Sequence, residues 1–412
     1  MGKLAEVFLG ILTAMGGFVE IGELTFTLNA GRRFEHALLW VVLLGTVGIM
    51  VYCEMAGRIA AVKHQAVFSL IRERDGFSAG LLTLVAASIV NLLTCAAEVG
   101  GVALLWQLLS GWPYRGLLLA ALFFFVIVVW STPFKWIERI FGLGGLLMIV
   151  FIVAAVRLDP DWGSVGAGLV PSLPRGAGGR DTLMYAFYSV ALLSSIMLPY
   201  ETYFYASGGI EDRWKPADVT LNRVVVIIGF TLGAALSAAL VVVGAEFFKP
   251  HSIDPALPGT AALAAGDMFA SVGLYVALLG MFFAFAGAAI ETALSAAYNL
   301  AQFAGWPWGL DKRPREAPRF ALAWIVVFVL ATAVVMTGID PVSVVEYSIV
   351  FSVVVLPLSY FPVLAVARDR GIMGPYANGP LANVLGWFYL ALITVAALAA
   401  IPLFVATHAG QG

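Results

Sequence analysis

The sequence predicts an all-α polytopic membrane protein of about eleven transmembrane helices, built as two five-helix repeats plus one further helix. Three observations carry this expectation. The 412 residues are 61% hydrophobic and only 12% charged, whereas an average soluble domain carries about 25% charged residues. Apolar stretches of the ~20 residues that a hydrocarbon core of roughly 30 Å requires recur along the whole chain. Finally, the first and sixth stretches are interrupted alike, by helix-weakening residues beside carboxylates. Matched interruptions in corresponding helices of two halves point to an inverted-repeat transporter with its site near the bilayer midplane.

The stretches run approximately over residues 7–29, 37–62, 80–109, 116–131, 140–156, 183–207, 219–248, 269–303, 320–337, 343–367 and 381–405. A polar connection rich in Gly and Pro, between Arg157 and Asp181, divides them. The expected organisation is therefore a first repeat over 1–157, an extracytoplasmic linker over 158–181, a second repeat over 182–370 and an additional C-terminal helix over 371–412. The larger share of Lys and Arg, including Arg58, Lys63, Arg72, Arg74 and Arg315, falls on the side that the N-terminus occupies. By the positive-inside rule this predicts a cytoplasmic N-terminus and an extracytoplasmic C-terminus. Arg32 and Arg33 stand against the rule.

Composition excludes several function classes. A net charge of -2 leaves no electrostatic footprint for nucleic acid. Cys53 and Cys95 both lie in apolar runs, where thiols behave as small hydrophobes, so no disulfide framework is expected. The apolar run at the start continues through polar, Gly-rich sequence rather than ending at a small-residue cleavage site, and reads as a membrane helix instead of a signal peptide. No P-loop is present, which argues against an ATP-driven pump. His36, His64, His251 and His408 fall at span ends or in loops, so no histidine-rich metal cluster is expected within the membrane. Neither an enzyme nor a resident cofactor is expected.

The chemistry lies in the carboxylates. Span one carries Met15-Gly16-Gly17-Phe18-Val19-Glu20-Ile21-Gly22-Glu23, and span six carries Ser194-Ser195-Ile196-Met197-Leu198-Pro199-Tyr200-Glu201. A proline inside a span removes a hydrogen bond, glycine costs about 1 kcal/mol against alanine, and the freed backbone survives in a membrane only where it lines a cavity or is covered by protein. An acidic side chain at mid-membrane costs about 2.5–3.5 kcal/mol on insertion scales, so it is normally paired or functional. Glu20 and Glu23 stand one helical turn apart and can converge on one cavity. Oxygen donors beside broken backbone suit a hard cation such as Mg2+ or Mn2+, and the same pair repels anions. The alternative reading is that they are protonated and hydrogen-bonded to neighbouring helices. Glu98 in span three is a candidate proton carrier or a structural hydrogen-bonding group; Glu201 and Glu291 are secondary candidates, with a loop or a neighbouring backbone as their other option.

These motifs resemble the NRAMP family of proton-coupled divalent-metal transporters, as a divergent relative, over nearly the whole chain. Glu20-Ile21-Gly22-Glu23 and Ala30-Gly31 stand where the family has Asp-Pro-Gly-Asn and Ala-Gly, and Thr94-Cys95-Ala96-Ala97-Glu98-Val99 stands where it has Thr-Asp-Leu-Ala-Glu-Val. Glu54-Met55-Ala56-Gly57-Arg58 is similar to the family's second helix. The resemblance implies a LeuT-type inverted-repeat fold, alternating access, and a metal set of Glu20, Glu23, Ser195 through its carbonyl, and Leu198. One residue of slippage would replace Ser195 by Ile196. The departures bear on the substrate. The family's Met-Pro-His appears as Leu198-Pro199-Tyr200, its second histidine on that helix as Tyr205, and its span-three aspartate as Cys95. Loss of a soft thioether and gain of a carboxylate imply a harder ion, and loss of the histidine and aspartate weakens the expectation of proton coupling. The expected function is secondary transport of a small cation through the lipid bilayer. An organic cation or amino acid carrier on the same fold, and a receptor or scaffold that has lost transport, are the competing readings.

Overall fold

The computed structural model describes residues 19–172, 178–310, 312, 314–339 and 341–410. The helices are α1 (Ile21–Phe34), α2 (Leu39–Lys63), α3 (Val67–Asp75), α4 (Phe77–Ser110), α5 (Tyr114–Ser131), α6 (Phe134–Gly145), α7 (Ile149–Arg157), α8 (Trp162–Ala167), α9 (Gly179–Ile196), α10 (Pro199–Glu211), α11 (Val219–Val243), α12 (Leu263–Ala304), α13 (Pro318–Met336), α14 (Pro341–Arg368) and α15 (Pro380–Ala406), with short single turns between some of them. Among the described residues ten helical segments are long and apolar enough to cross a membrane. The helix α1 falls within the first predicted span, 7–29; residues 7–18 of that prediction, with Met15, Gly16, Gly17 and Phe18, lie outside the described residues. Cys53 and Cys95 are free and buried.

Local chemistry sets the ends. Helices α4 and α12 stop at Gly111 and Gly305, both at φ +70°, the left-handed turn that glycine enters without a Cβ penalty. Pro113 and Pro133 precede α5 and α6, and Pro318 and Pro380 open α13 and α15, where a missing N–H costs nothing. In α8, Asp161 caps the first turn by accepting from Gly163 N at 2.9 Å.

Span five begins at Phe134, earlier than the sequence predicts, because Phe134, Ile137 and Phe141 form a buried stripe while Lys135 and Arg139 sit on the other face. The charges that make this turn look like a loop hold only one side of it. A 3-10 turn over Leu146–Met148 then joins α6 to α7. Within α12 the backbone leaves helical geometry at Phe269 and Ala270, so the predicted start at 269 marks this kink and not the helix end.

The helix α4 packs most extensively against α12, α14 and α13, while α2 packs on α11, α10 and α9. Lipid offers little hydrophobic drive between helices, so small residues that allow close approach decide such packing. At the α1–α11 crossing the closeness is extreme: a Cβ on Gly31 would lie 1.9 Å from Val241 O, and one on Gly244 would lie 2.2 Å from Leu28 O. Just beyond α11 the chain forms a single π turn over Gly244–Phe248.

Arg32 and Arg33 belong to the last turn of α1 and not to a loop. Arg32 pairs with Asp254 at 3.2 Å, and the Arg33 guanidinium lies 5.6 Å from the centre of the Tyr188 ring. Cations at a helix C-terminus complement its dipole, which gives this pair a structural reason to break the charge rule.

Beside them, His36 is buried, with Nδ1 3.1 Å from Ser164 Oγ and Nε2 3.3 Å from Glu246 Oε1. Burial pushes its imidazole below the ordinary value of 6.5, although Glu246, Glu35 and Asp161 pull upward. The neutral form is thus the one the fold prefers, so its contribution is complete above about pH 6.5 and is lost as pH falls below that. Thermal unfolding of the wild type is expected to weaken across this window, and His36→Gln to flatten the decline. An unchanged slope in the variant would assign the decline to other groups, such as Glu35, whose carboxyl Lys249 holds below its ordinary range.

Candidate functional site

Both predicted interruptions involve non-helical backbone. Glu20 is extended (φ -91°, ψ 169°) and the helix starts one residue later, closing its first turn through Leu24 N to Glu20 O at 3.0 Å. In span six, α9 ends at Ile196, and Met197 (φ -99°, ψ 62°) and Leu198 (φ -75°, ψ 126°) run non-helically to Pro199, the first residue of α10. Pro199 has no N–H to return to the residue four before it, so the Ser195 carbonyl has no donor of the helical pattern. The α9 C-terminus therefore brings carbonyl oxygens, the negative end of a helix dipole, to the break. Ile349 of α14 joins the two interruptions: its carbonyl accepts from Ser194 Oγ at 3.2 Å, and its Cδ1 would lie 3.0 Å from a Cβ on Gly22.

Three buried carboxyls, those of Glu20, Glu23 and Glu98, lie around this junction. Glu20 Oε1 lies beside Gly22, 2.9 Å from where a Cβ would stand, so any larger residue at position 22 would displace the carboxyl. Glu23 Oε1 accepts from Ser237 of α11. Glu98 Oε1 accepts from Ile21 N at 2.8 Å, satisfying one of the orphan donors at the start of α1. On each of the three, the Oε2 atom is buried without a hydrogen-bond partner. Among the described residues none of these carboxyls forms an ion pair; the ion pairs lie elsewhere.

The other expected residues divide between two places. Tyr200 is fully buried, its hydroxyl without a partner and within electrostatic reach of Glu20, Glu98, Glu201 and Glu291. Glu201 is buried with both oxygens unpartnered. Glu291 lines a small cavity with Glu138, Phe141, Phe204 and Phe283. Tyr205 goes elsewhere: six residues past Pro199, about 9 Å along a helix, its hydroxyl donates to Asn222 Oδ1 at 2.9 Å, and Asn222 Nδ2 donates to the Glu54 carbonyl at 3.0 Å. Leu198 is buried, its carbonyl accepts from Tyr360 OH at 3.4 Å, and its side chain has no donor atom. Its part is to shape the wall, and as a side-chain ligand it leaves the expected set. The residue that the sequence did not single out is Ser237. The available signal was a lone hydroxyl in the apolar run Gly233-Ala234-Ala235-Leu236-Ser237-Ala238-Ala239.

Chemically, the arrangement is a buried acidic junction whose unspent oxygens meet no protein cation among the described residues. Among the described residues no three His, Cys, Asp or Glu side chains converge as a ready metal cage. The arrangement offers carboxyl and backbone carbonyl oxygens, the ligand type that hard cations take.

Residues 10–402 match the family model described as natural resistance-associated macrophage protein-like, Nramp. The protein named divalent metal cation transporter MntH of Ralstonia nicotianae is 28% identical, over 94% of this chain and 88% of its own. Its namesake from Deinococcus radiodurans is 26% identical, over 94% and 87%. Both relatives are named as transporters and not as enzymes. Among solved structures, a manganese transporter of Eremococcus coleocola superposes with a TM-score of 0.75 at 21% identity, covering 100% of this chain and 88% of that one. MhsT, solved with L-phenylalanine, superposes with a TM-score of 0.63 at 16% identity, covering 97% and 98%. The fold is thus the LeuT-type inverted repeat, with its sixth span interrupted, in an integral multi-pass membrane protein, and the chain belongs to the Nramp family.

Proposed function

We propose that this protein carries a divalent metal cation across the membrane by alternating access, with a hard ion such as Mg2+ or Mn2+ as the preferred substrate. The observation that carries the reading is the set of buried carboxyls, Glu20 and Glu23 foremost, whose second oxygens meet no protein partner at the junction of two helix interruptions. Burying a charge is costly unless it is paired, and an arriving cation supplies the pair. The names of the relatives, divalent metal cation transporters, point the same way.

The preference for a hard ion rests on the donor set. Every candidate ligand is an oxygen, from Glu20, Glu23 and the Ser195 carbonyl, and Leu198 stands where a soft thioether would be expected. Carboxylate, carbonyl and water suit Mg2+ and Mn2+, while soft sulfur selects other metals. The hydrogen bond from Ile21 N gives Glu98 a standing structural task at the start of α1, and its free Oε2 leaves it able to carry a proton as well. Proton linkage is therefore the narrower part of the proposal. The charge bias supports a cytoplasmic N-terminus.

Uptake into proteoliposomes, read for Mg2+, Mn2+ and a panel of organic cations and amino acids, tests this function. Saturable entry of one of the two metal ions is expected. Entry of an organic substrate with no metal entry would overturn the reading, and no entry of any solute would favour a receptor or scaffold.

A further inference from the structure

On the side of the membrane where α2 ends and α11 and α15 begin, away from the acidic junction, a cleft of about 590 Å3 opens between these three helices. That volume falls within the range of single-ligand sites, roughly 300–1,000 Å3. Its walls are apolar, formed by Val47, Met50 and Val51 of α2, Val226 and Ile227 of α11, and Leu385 of α15. One end is charged, with Glu54, Arg58 and Arg223.

The two arginines are not equivalent. Arg58 is buried and engaged through all three of its nitrogens: it pairs with Glu54 at 3.0 Å, donates to Asn378 Oδ1 at 2.7 Å and also bonds the Tyr376 carbonyl. Arg223 engages Glu54 through Nε alone, at 3.1 Å, and its side chain is 59% exposed. Two guanidiniums thus share one carboxylate, and among the described residues both terminal nitrogens of Arg223 remain free for an anion at the mouth.

The position is that of a lipid headgroup. Ile227, Leu381 and Val384 beside the cleft are 57%, 72% and 66% exposed, so it opens sideways toward acyl chains. Two turns along α15, Trp387 lies under the Arg368 guanidinium at 5.5 Å, and Trp beside a basic residue marks the membrane–water boundary. Basic pockets between membrane helices at this level recognise anionic headgroups.

We propose that this cleft holds one anionic phospholipid of the adjacent leaflet, with its phosphate against the terminal nitrogens of Arg223 and one acyl chain along the apolar wall. The inference is independent of which solute the protein carries. Native mass spectrometry of the detergent-solubilised full chain, with phosphatidylglycerol or phosphatidylcholine added, tests it. The wild type is expected to retain phosphatidylglycerol about fivefold more than phosphatidylcholine, the factor that corresponds to one arginine's attraction for an anionic surface. Arg223→Gln removes the preference, and Ile227→Trp, which fills the groove from an exposed position without changing charge, removes retention of both lipids. Equal retention of the two lipids by the wild type overturns the proposal, as does a preference that survives in Arg223→Gln. Inorganic phosphate that displaces phosphatidylglycerol as readily as excess lipid overturns it too, by showing that a free anion suffices. Should Arg223→Gln not fold, the wild-type comparison and Ile227→Trp decide the matter.

Discussion

Replacing Glu20 by glutamine is expected to abolish the stabilisation that Mg2+ or Mn2+ confers, while leaving the ion-free protein at least as stable as the wild type. The two halves of this expectation have one cause. In the ion-free protein Glu20 is buried with Oε2 unpartnered, in a neighbourhood that also holds Glu23, Glu98 and Glu201. Glutamine keeps the shape and takes away a buried carboxyl that nothing neutralises, so the substitution relieves a cost instead of breaking a bond. With the ion at about a hundred times its Kd, the wild type gains about 2.7 kcal/mol, and the variant loses that gain with its ligand. Thermal unfolding with and without ion separates this from a structural role. A residue that merely braced the helix start would lower ion-free stability on substitution and leave the ion response intact. That opposite pattern would remove Glu20 from the ligand set.

The parts of this protein that follow from local chemistry were legible in the sequence. Pro199 and the glycines around Glu20 announce interruptions because proline and glycine act on their own backbone, whatever surrounds them. The carboxyls were legible for a similar reason: charge in an apolar run is conspicuous and expensive. What remained hidden depends on who meets whom. Ser237 is one hydroxyl among many until α11 places it on Glu23. Tyr205 aligned with a candidate site, yet it joined Asn222 and Glu54 because α10 carries it away from the interruption. Glu98 was readable as a proton carrier or as a structural group, and the bond from Ile21 N gives it the second task without removing the first. The start of α6 was missed because its polar face disguises a buried stripe, which periodicity over a single turn is too short to reveal.

Glycine-to-alanine substitution at two positions is expected to give effects of opposite sign, and the contrast measures how tightly α1 is held. At Gly116, exposed in the first turns of α5 with nothing within 4 Å of the new Cβ, alanine adds only helix propensity, a gain of up to about 1 kcal/mol. At Gly31 the same methyl meets the Val241 carbonyl oxygen at 1.9 Å and Ala245 N at 2.9 Å. Both are backbone atoms, so no side-chain rotation relieves the clash, and α1 must move off α11. Overpacking of this kind costs about 1–3 kcal/mol, sometimes more, which exceeds the propensity gain. The displaced helix carries Glu20 and Glu23, and the Ser237 contact to Glu23 crosses the same interface, so Gly31→Ala is also expected to weaken the ion response that Gly116→Ala preserves. Gly244→Ala, whose Cβ meets Leu28 O at 2.2 Å from the other side, should reproduce the loss. If thermal unfolding shows Gly31→Ala and Gly116→Ala shifting together, α1 does not lie against α11 as closely as described, and the placement of both carboxylates fails with it.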